Sequence, residues 1–102
     1  MVGLEWQKPA AVDSVTLQDY VGRYEYEAWP GYIDTVTRKG LQLYVQSTGD
    51  KEATPLNAAT PNAFYLTGEP IFIVFTRGRD GLVSGIGANW PGGEWREGRK
   101  MR

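Results

Sequence analysis

From Arg23 onward the chain alternates. Tyr24 and Tyr26 fall on one side and Arg23, Glu25 and Glu27 on the other, the period of a half-buried strand. The same period returns in Leu41, Leu43 and Val45 against Gln42, Tyr44 and Gln46, and again with Phe64 and Leu66 on one face. Residues 33–39 are β-branched and read as a strand, but Ile33 and Val36 lie on opposite faces, so the pattern leaves the register open. Residues 52–58 make a weaker strand, which Pro55 places at a sheet edge. The strongest segment is "IFIVFTR" (71–77). It is apolar on both faces at first and should be covered on both, by the N-terminal lead or by a partner. Leu82–Trp90 carries Gly85 and Gly87 on one face, a mark of strong curvature or close backbone approach. Glu94–Met101 ends the series.

Turn signals separate these runs: "WPGY" (29–32), "KG" (39–40), "TGDK" (48–51), "TPN" (60–62), "GEP" (68–70), "GRDG" (78–81) and "PGG" (91–93). Ahead of them, Leu17, Tyr20 and Val21 share the face of one helical turn. Thr16 is its candidate N-cap, and Gly22 suits the left-handed position that stops it. Eight short strands at regular spacing predict an antiparallel meander, and rolling it shut removes the exposed edges. The expected fold is an all-β, eight-stranded antiparallel barrel with a short N-terminal helical plug. Residues 1–13 read as an irregular lead or linker with Trp6 as a possible anchor, and 14–102 as a single domain.

Composition removes whole classes of chemistry. The 102 residues include no histidine and no cysteine, which excludes Ser-His-Asp triads, thiol nucleophiles, disulfides and every metal site that needs those ligands. No cofactor is expected. The net charge of −1 gives no overall field toward nucleic acid or anionic lipid, although residues 71–102 are mildly basic. No apolar run is long enough to span a membrane, and the N-terminus lacks the basic and apolar regions of a signal peptide. The chain is expected either to work where it is made or to be one domain of a longer protein, and its compartment is not readable.

Four segments in order, "LQDYVGRYEY", "KGLQLYVQ", "TPNAFYLTG" and "IFIVFTRGRDGLVSGI", carry a likeness. They resemble the small lipocalin-like domain, of unknown function, that is appended to the C-terminus of β-lactamase-related (penicillin-binding-protein-like) serine hydrolases. The likeness covers about residues 16–101. It implies an eight-stranded barrel or half-barrel with no catalytic residue of its own, any hydrolase activity residing in a partner domain. It also implies a non-catalytic accessory or assembly role, joining to a serine hydrolase or to copies of itself, outside the cytoplasm where that hydrolase is secreted. The aromatic "WPGY" and "NWPGGEW" loops fall outside the family's pattern.

Loop parity locates a candidate site. In an eight-strand meander the first, third, fifth and seventh connections share one end, opposite the helical plug. That end should gather Trp29, Tyr32, Trp90 and Trp95 as an aromatic mouth for a small apolar ligand, a sugar ring or a protein partner. The alternative is that Trp90 and Trp95 form a cross-strand pair supporting their own hairpin. Tyr24, Tyr26, Leu43, Val45, Phe64 and Phe75 should line the inner wall and are expected to fill it rather than leave it hollow. Glu25 and Glu27 sit two apart at a spacing glycosidases could use, but alternation sends them to the outer face. Arg77, Arg79 and Asp80 are assigned to turn chemistry. A single-stranded nucleic-acid platform of the OB type is opposed by the net charge.

Overall fold

The computed structural model describes residues 11–89 and 93–101. Trp6 and Trp90 lie outside them. One helix, α1 (Ser14–Tyr20), precedes eight strands: β1 (Gly22–Tyr26), β2 (Ile33–Lys39), β3 (Gln42–Ser47), β4 (Thr54–Thr60), β5 (Ala63–Leu66), β6 (Phe72–Arg77), β7 (Val83–Asn89) and β8 (Trp95–Lys100). Each strand pairs antiparallel with the next, and β8 returns to β1, so the sheet is a closed barrel. The all-β barrel with a helical plug is what the alternation and turn spacing predict.

Closure works because glycines let backbones approach. Gly98 pairs with Tyr26, and a Cβ there would stand 2.9 Å from the Glu25 carbonyl oxygen and 3.2 Å from its carbon. On β7, a Cβ at Gly85 would overlap the Gly98 carbonyl. Backbone bonds from Glu27 N to Glu97 O (3.0 Å) and from Met101 N to Arg23 O (2.7 Å) extend the seam at both ends.

The interior at the helix end is packed. Tyr24, Leu43, Phe64 and Phe75 are buried there, while Tyr26 and Val45, also buried, lie nearer the other end. Seven residues of helix are too few to hold themselves together, so α1 is stable through its packing. Leu17 and Tyr20 enter the barrel, and Tyr20 stacks on Phe75 at 4.2 Å between centroids. The Tyr20 hydroxyl donates to Pro61 O and that of Tyr24 to Tyr20 O, both at 2.8 Å. Three strands tie the helix from outside. Arg38 on β2 donates to Gln18 (3.0 Å), Arg77 on β6 pairs with Asp19 (3.2 Å), and Lys100 on β8 donates to Asp19 O (3.0 Å).

Several sequence expectations need correction. The N-cap is Asp13, whose carboxylate accepts from Thr16 N at 2.7 Å; Thr16 lies inside the helix. Helix α1 ends at Val21 in an extended conformation, and Gly22 opens β1 instead of forming a left-handed stop. Leu41 sits exposed in the β2–β3 turn, outside the alternation of Leu43 and Val45. Pro55 is not at an edge, because a closed barrel has none. Its carbonyl accepts from Thr67 N at 3.1 Å, so its missing donor falls on the same side, beyond the last β4–β5 pair, Leu56 with Leu66. The outward face of β6 is not covered among the described residues: Phe72 is 45% exposed, with Tyr65 beside it at 6.2 Å.

Replacing Gly98 by alanine forces backbone, not a mobile side chain, to move. The expected loss is about 1–3 kcal/mol in urea denaturation, the range of overpacking. Gly31, where a Cβ meets nothing within 4 Å, should lose only the left-handed strain of about 1–2 kcal/mol when changed to alanine, without loosening the β1–β8 seam in amide exchange.

Candidate functional site

At the end opposite α1, the barrel opens. Three described connections meet there, residues 27–32, 48–53 and 67–71. Within the first, Glu25 Oε2 accepts from Gly31 N at 2.8 Å, and the loop turns through Gly31 at φ +86°. Thr48 Oγ1 accepts from Ile33 N at 2.9 Å and so fastens the second of these loops to the first. Tyr26, Trp29 and Tyr32 form a triangle of rings with centroids 6.0–6.1 Å apart, each pair steeply tilted. Arg96, on the β8 face that also holds Gly98, lays its guanidinium 5.3 Å from the Trp29 ring centroid and pairs with Glu94.

Behind the rim lies a cavity of about 230 Å³. Its lining combines hydrocarbon from Val45, Leu66, Ile71, Ile73 and Ala88 with the polar groups of Tyr26, Tyr32, Ser47 and Asp34, and with Asp50 and Glu69 from the loops.

Asp34 is the least expected member. Only 2% of it is exposed, and it is the one buried charged residue in the described structure. Its Oδ2 accepts from the Tyr26 hydroxyl at 2.8 Å and its Oδ1 from Ser47 Oγ at 2.5 Å. Burial raises the Asp34 carboxyl above its usual value, while the bonds from Ser47 and Tyr26 pull the other way; nearby Asp50 adds to the rise. Burial also pushes both Tyr26 and Tyr32 upward, so both phenols stay protonated at neutral pH. The sequence held one usable signal for Asp34. It lies two before Val36, so once Val36 faces the core Asp34 must too. Arg96 was missed for a similar reason: it shares a face with Gly98, and a glycine gives no hydropathy signal.

The residues proposed for the mouth separate. Trp29 and Tyr32 are at the rim together. Trp95 is not. It is 48% exposed and lies on the outer wall, where its ring fills the space a Cβ at Gly87 would take. Since β8 puts Arg96 and Gly98 inward, Trp95 faces outward. Trp90 lies outside the described residues. Glu25 and Glu27 are on the outer face, the former capping its loop and the latter 3.3 Å from Arg99. Arg77 donates to Gly81 O at 2.8 Å, and Asp80 accepts from Leu82 N at 3.0 Å, which is turn chemistry. Among the described residues no cluster of acidic side chains could hold a metal ion, and no helix is long and apolar enough to cross a membrane. A second concavity of about 760 Å³ beside α1 is more open, and Arg77 pairs with Asp19 across it.

Comparison with family models, with curated proteins and with solved structures found no match to this chain. The likeness to hydrolase-associated domains therefore rests on the motifs quoted above.

The site leaves a mark on stability. An aspartate in the unfolded chain titrates near 3.8, and folded Asp34 titrates higher, so the native state binds the proton more tightly. Stability should be greatest below that value and fall as pH rises through the folded one. Asp13 is shifted the opposite way by its capping bond, so the Asp34 contribution is read as wild type against Asp34→Asn. Urea unfolding from pH 4 to 7 should show the wild type losing stability relative to that variant as pH rises. Tyr26→Phe removes one donor to the carboxyl and should cost about 1–2 kcal/mol at neutral pH.

Proposed function

We propose that this chain is a non-catalytic ligand-binding barrel whose open end takes one small molecule. The observation that carries the reading is the contrast between the two ends. The helix end is filled by Leu17, Tyr20 and Phe75, whereas the other end keeps a cavity of about 230 Å³ with converging polar groups. Binding sites commonly combine a concave, mostly apolar wall with a few fixed polar groups. The volume lies below the roughly 300–1,000 Å³ of drug-sized sites, which favours a compact ligand. Rigid walls favour it too, since eight of the lining residues sit on paired strands and Asp34 is held from two sides. The mixed character of the lining argues against a purely apolar ligand and for one with both a hydrocarbon part and a polar end.

A second reading, an accessory or assembly module joined to a serine hydrolase or to copies of itself, draws on the sequence motifs and on a different surface. Tyr65, Phe72 and Trp95 stand on the outer wall of β5, β6 and β8, with Phe72 and Trp95 about half exposed. Such a surface suits a protein contact, and it leaves the mouth free, so the two readings are compatible.

Amide chemical shifts recorded against a library of small amphiphilic fragments separate them. The ligand reading predicts shifts confined to residues around Tyr26, Ser47, Leu66 and Ile71, with α1 unmoved. Shifts only at outer-wall positions, together with a concentration-dependent mass, would replace it with the assembly reading. Fragment binding confined to the groove beside α1 would contradict both.

A further inference from the structure

We infer that the mouth selects a small organic cation, an ammonium or guanidinium group carrying a short hydrocarbon tail, with Asp34 as its counter-ion. This rests on the ligand-binding reading and names the chemistry of that same site.

Start with what the cavity contains. Three carboxylates line it, Asp34 from β2 and Asp50 and Glu69 from the loops, and no lysine or arginine does. The cations nearest this end in sequence are Lys51, exposed in the 48–53 loop, and Arg96. Arg96 is directed to Glu94 and the Trp29 face rather than to Asp34. A carboxylate sealed from water is normally paired with a cation or made neutral. Here its two partners are hydroxyl groups, which supply hydrogen bonds and no charge. An ionised carboxylate offers about four acceptor positions, and Tyr26 and Ser47 occupy two. The unspent acceptors belong to a group that lines the cavity, so a donor entering there completes them.

Charge and shape agree on the donor. An alcohol could supply the hydrogen bond, but only a cation also offsets the buried charge and the field of Asp50 and Glu69. The phenol rings of Tyr26 and Tyr32 border the same space, and ring faces attract cations, ammonium groups included. In the same lining, Leu66, Ile71 and Ile73 provide the wall for a tail of a few carbons. A metal ion fits less well, since among the described residues the acids do not converge into a metal-holding cluster.

Selectivity follows from the protonation state of the carboxyl. As pH falls through the Asp34 value, the carboxyl gains a proton and loses its hold on an ammonium ion, which stays charged. The groups sharing the cavity with Asp34 are Tyr26 from β1, Ser47 from β3, Tyr32 from the 27–32 loop, Asp50 from the 48–53 loop and Glu69 from the 67–71 loop. Burial holds both phenols protonated, so neither Tyr26 nor Tyr32 changes charge in the acid range.

The test titrates the folded chain with n-butylammonium, n-butanol and butyrate, three probes of one size and different charge, following amide shifts at the mouth. Butylammonium should bind at least tenfold more tightly than butanol near neutral pH, with butyrate not binding. The preference should shrink to twofold or less in Asp34→Asn and weaken as pH drops toward 4 in the wild type. Equal binding of butanol and butylammonium at the mouth would overturn the cation assignment and leave the ligand reading standing. No shift at the mouth with any probe would overturn both. Should Asp34→Asn fail to give a dispersed spectrum, Ser47→Ala with the wild-type pH series decides the matter: a preference that does not change with pH overturns the assignment.

Discussion

The seam between β1 and β8 is the contact on which the rest of this structure depends. It brings together residues some 75 positions apart, with Tyr24 opposite Lys100 and Tyr26 opposite Gly98. No turn holds them, so the seam exists only if every intervening strand has the right tilt and register. Gly98 is what makes the approach possible, since any side chain there would meet the Glu25 peptide. With the seam formed, the sheet has no edge strands to pair with other chains. An inside and two ends are thereby defined. One end receives α1 as a stopper. The other is left to loops, among them 27–32, 48–53 and 67–71.

That asymmetry turns a structural element into a candidate site. Tyr20, Phe64 and Phe75 pack edge-on and face-on at the closed end, where aromatic pairs contribute about 0.5–1.5 kcal/mol each beyond their burial. At the open end the core gives way to hydroxyls and carboxylates. Asp34 occupies an inward position on β2 that Val36 also occupies one pair further down. A valine or leucine at 34 would extend the apolar packing. A carboxylate there works against burial and holds the Tyr26 and Ser47 hydroxyls in fixed directions. Local features that oppose folding while the surrounding framework supports it are where function concentrates.

Much of the barrel could be read from hydropathy and turn chemistry. Tyr24 and Tyr26, Leu43 and Val45, Phe64 and Leu66 each announced their face by alternation, and the glycine turns punctuated the strands between them. Where a strand lacked a clean period, the reading failed. In "IDTVTRK" the inward pair is Asp34 and Val36, and an aspartate on the core face defeats any hydropathy argument. In the last strand a glycine and an arginine face inward while a tryptophan faces out, so composition pointed Trp95 to the wrong side. Pro55 looked like an edge marker because the local rule ignores closure, and closure depends on contacts between distant positions. Parity grouped Trp29 with Tyr32, whose rings do lie side by side, but gave no sign of the carboxylates Asp34, Asp50 and Glu69 behind them.

Cross-strand proton contacts between β1 and β8 measure the seam itself. In the folded chain, nuclear Overhauser effects should link Tyr26 to Gly98 and Tyr24 to Lys100, and the Glu27 amide, bonded to Glu97 O, should exchange slowly with solvent. An open sheet, with these effects missing and the β1 and β8 amides exchanging as exposed edges, would contradict the account, since the two ends, the stopper and the acidic mouth would all lose their definition.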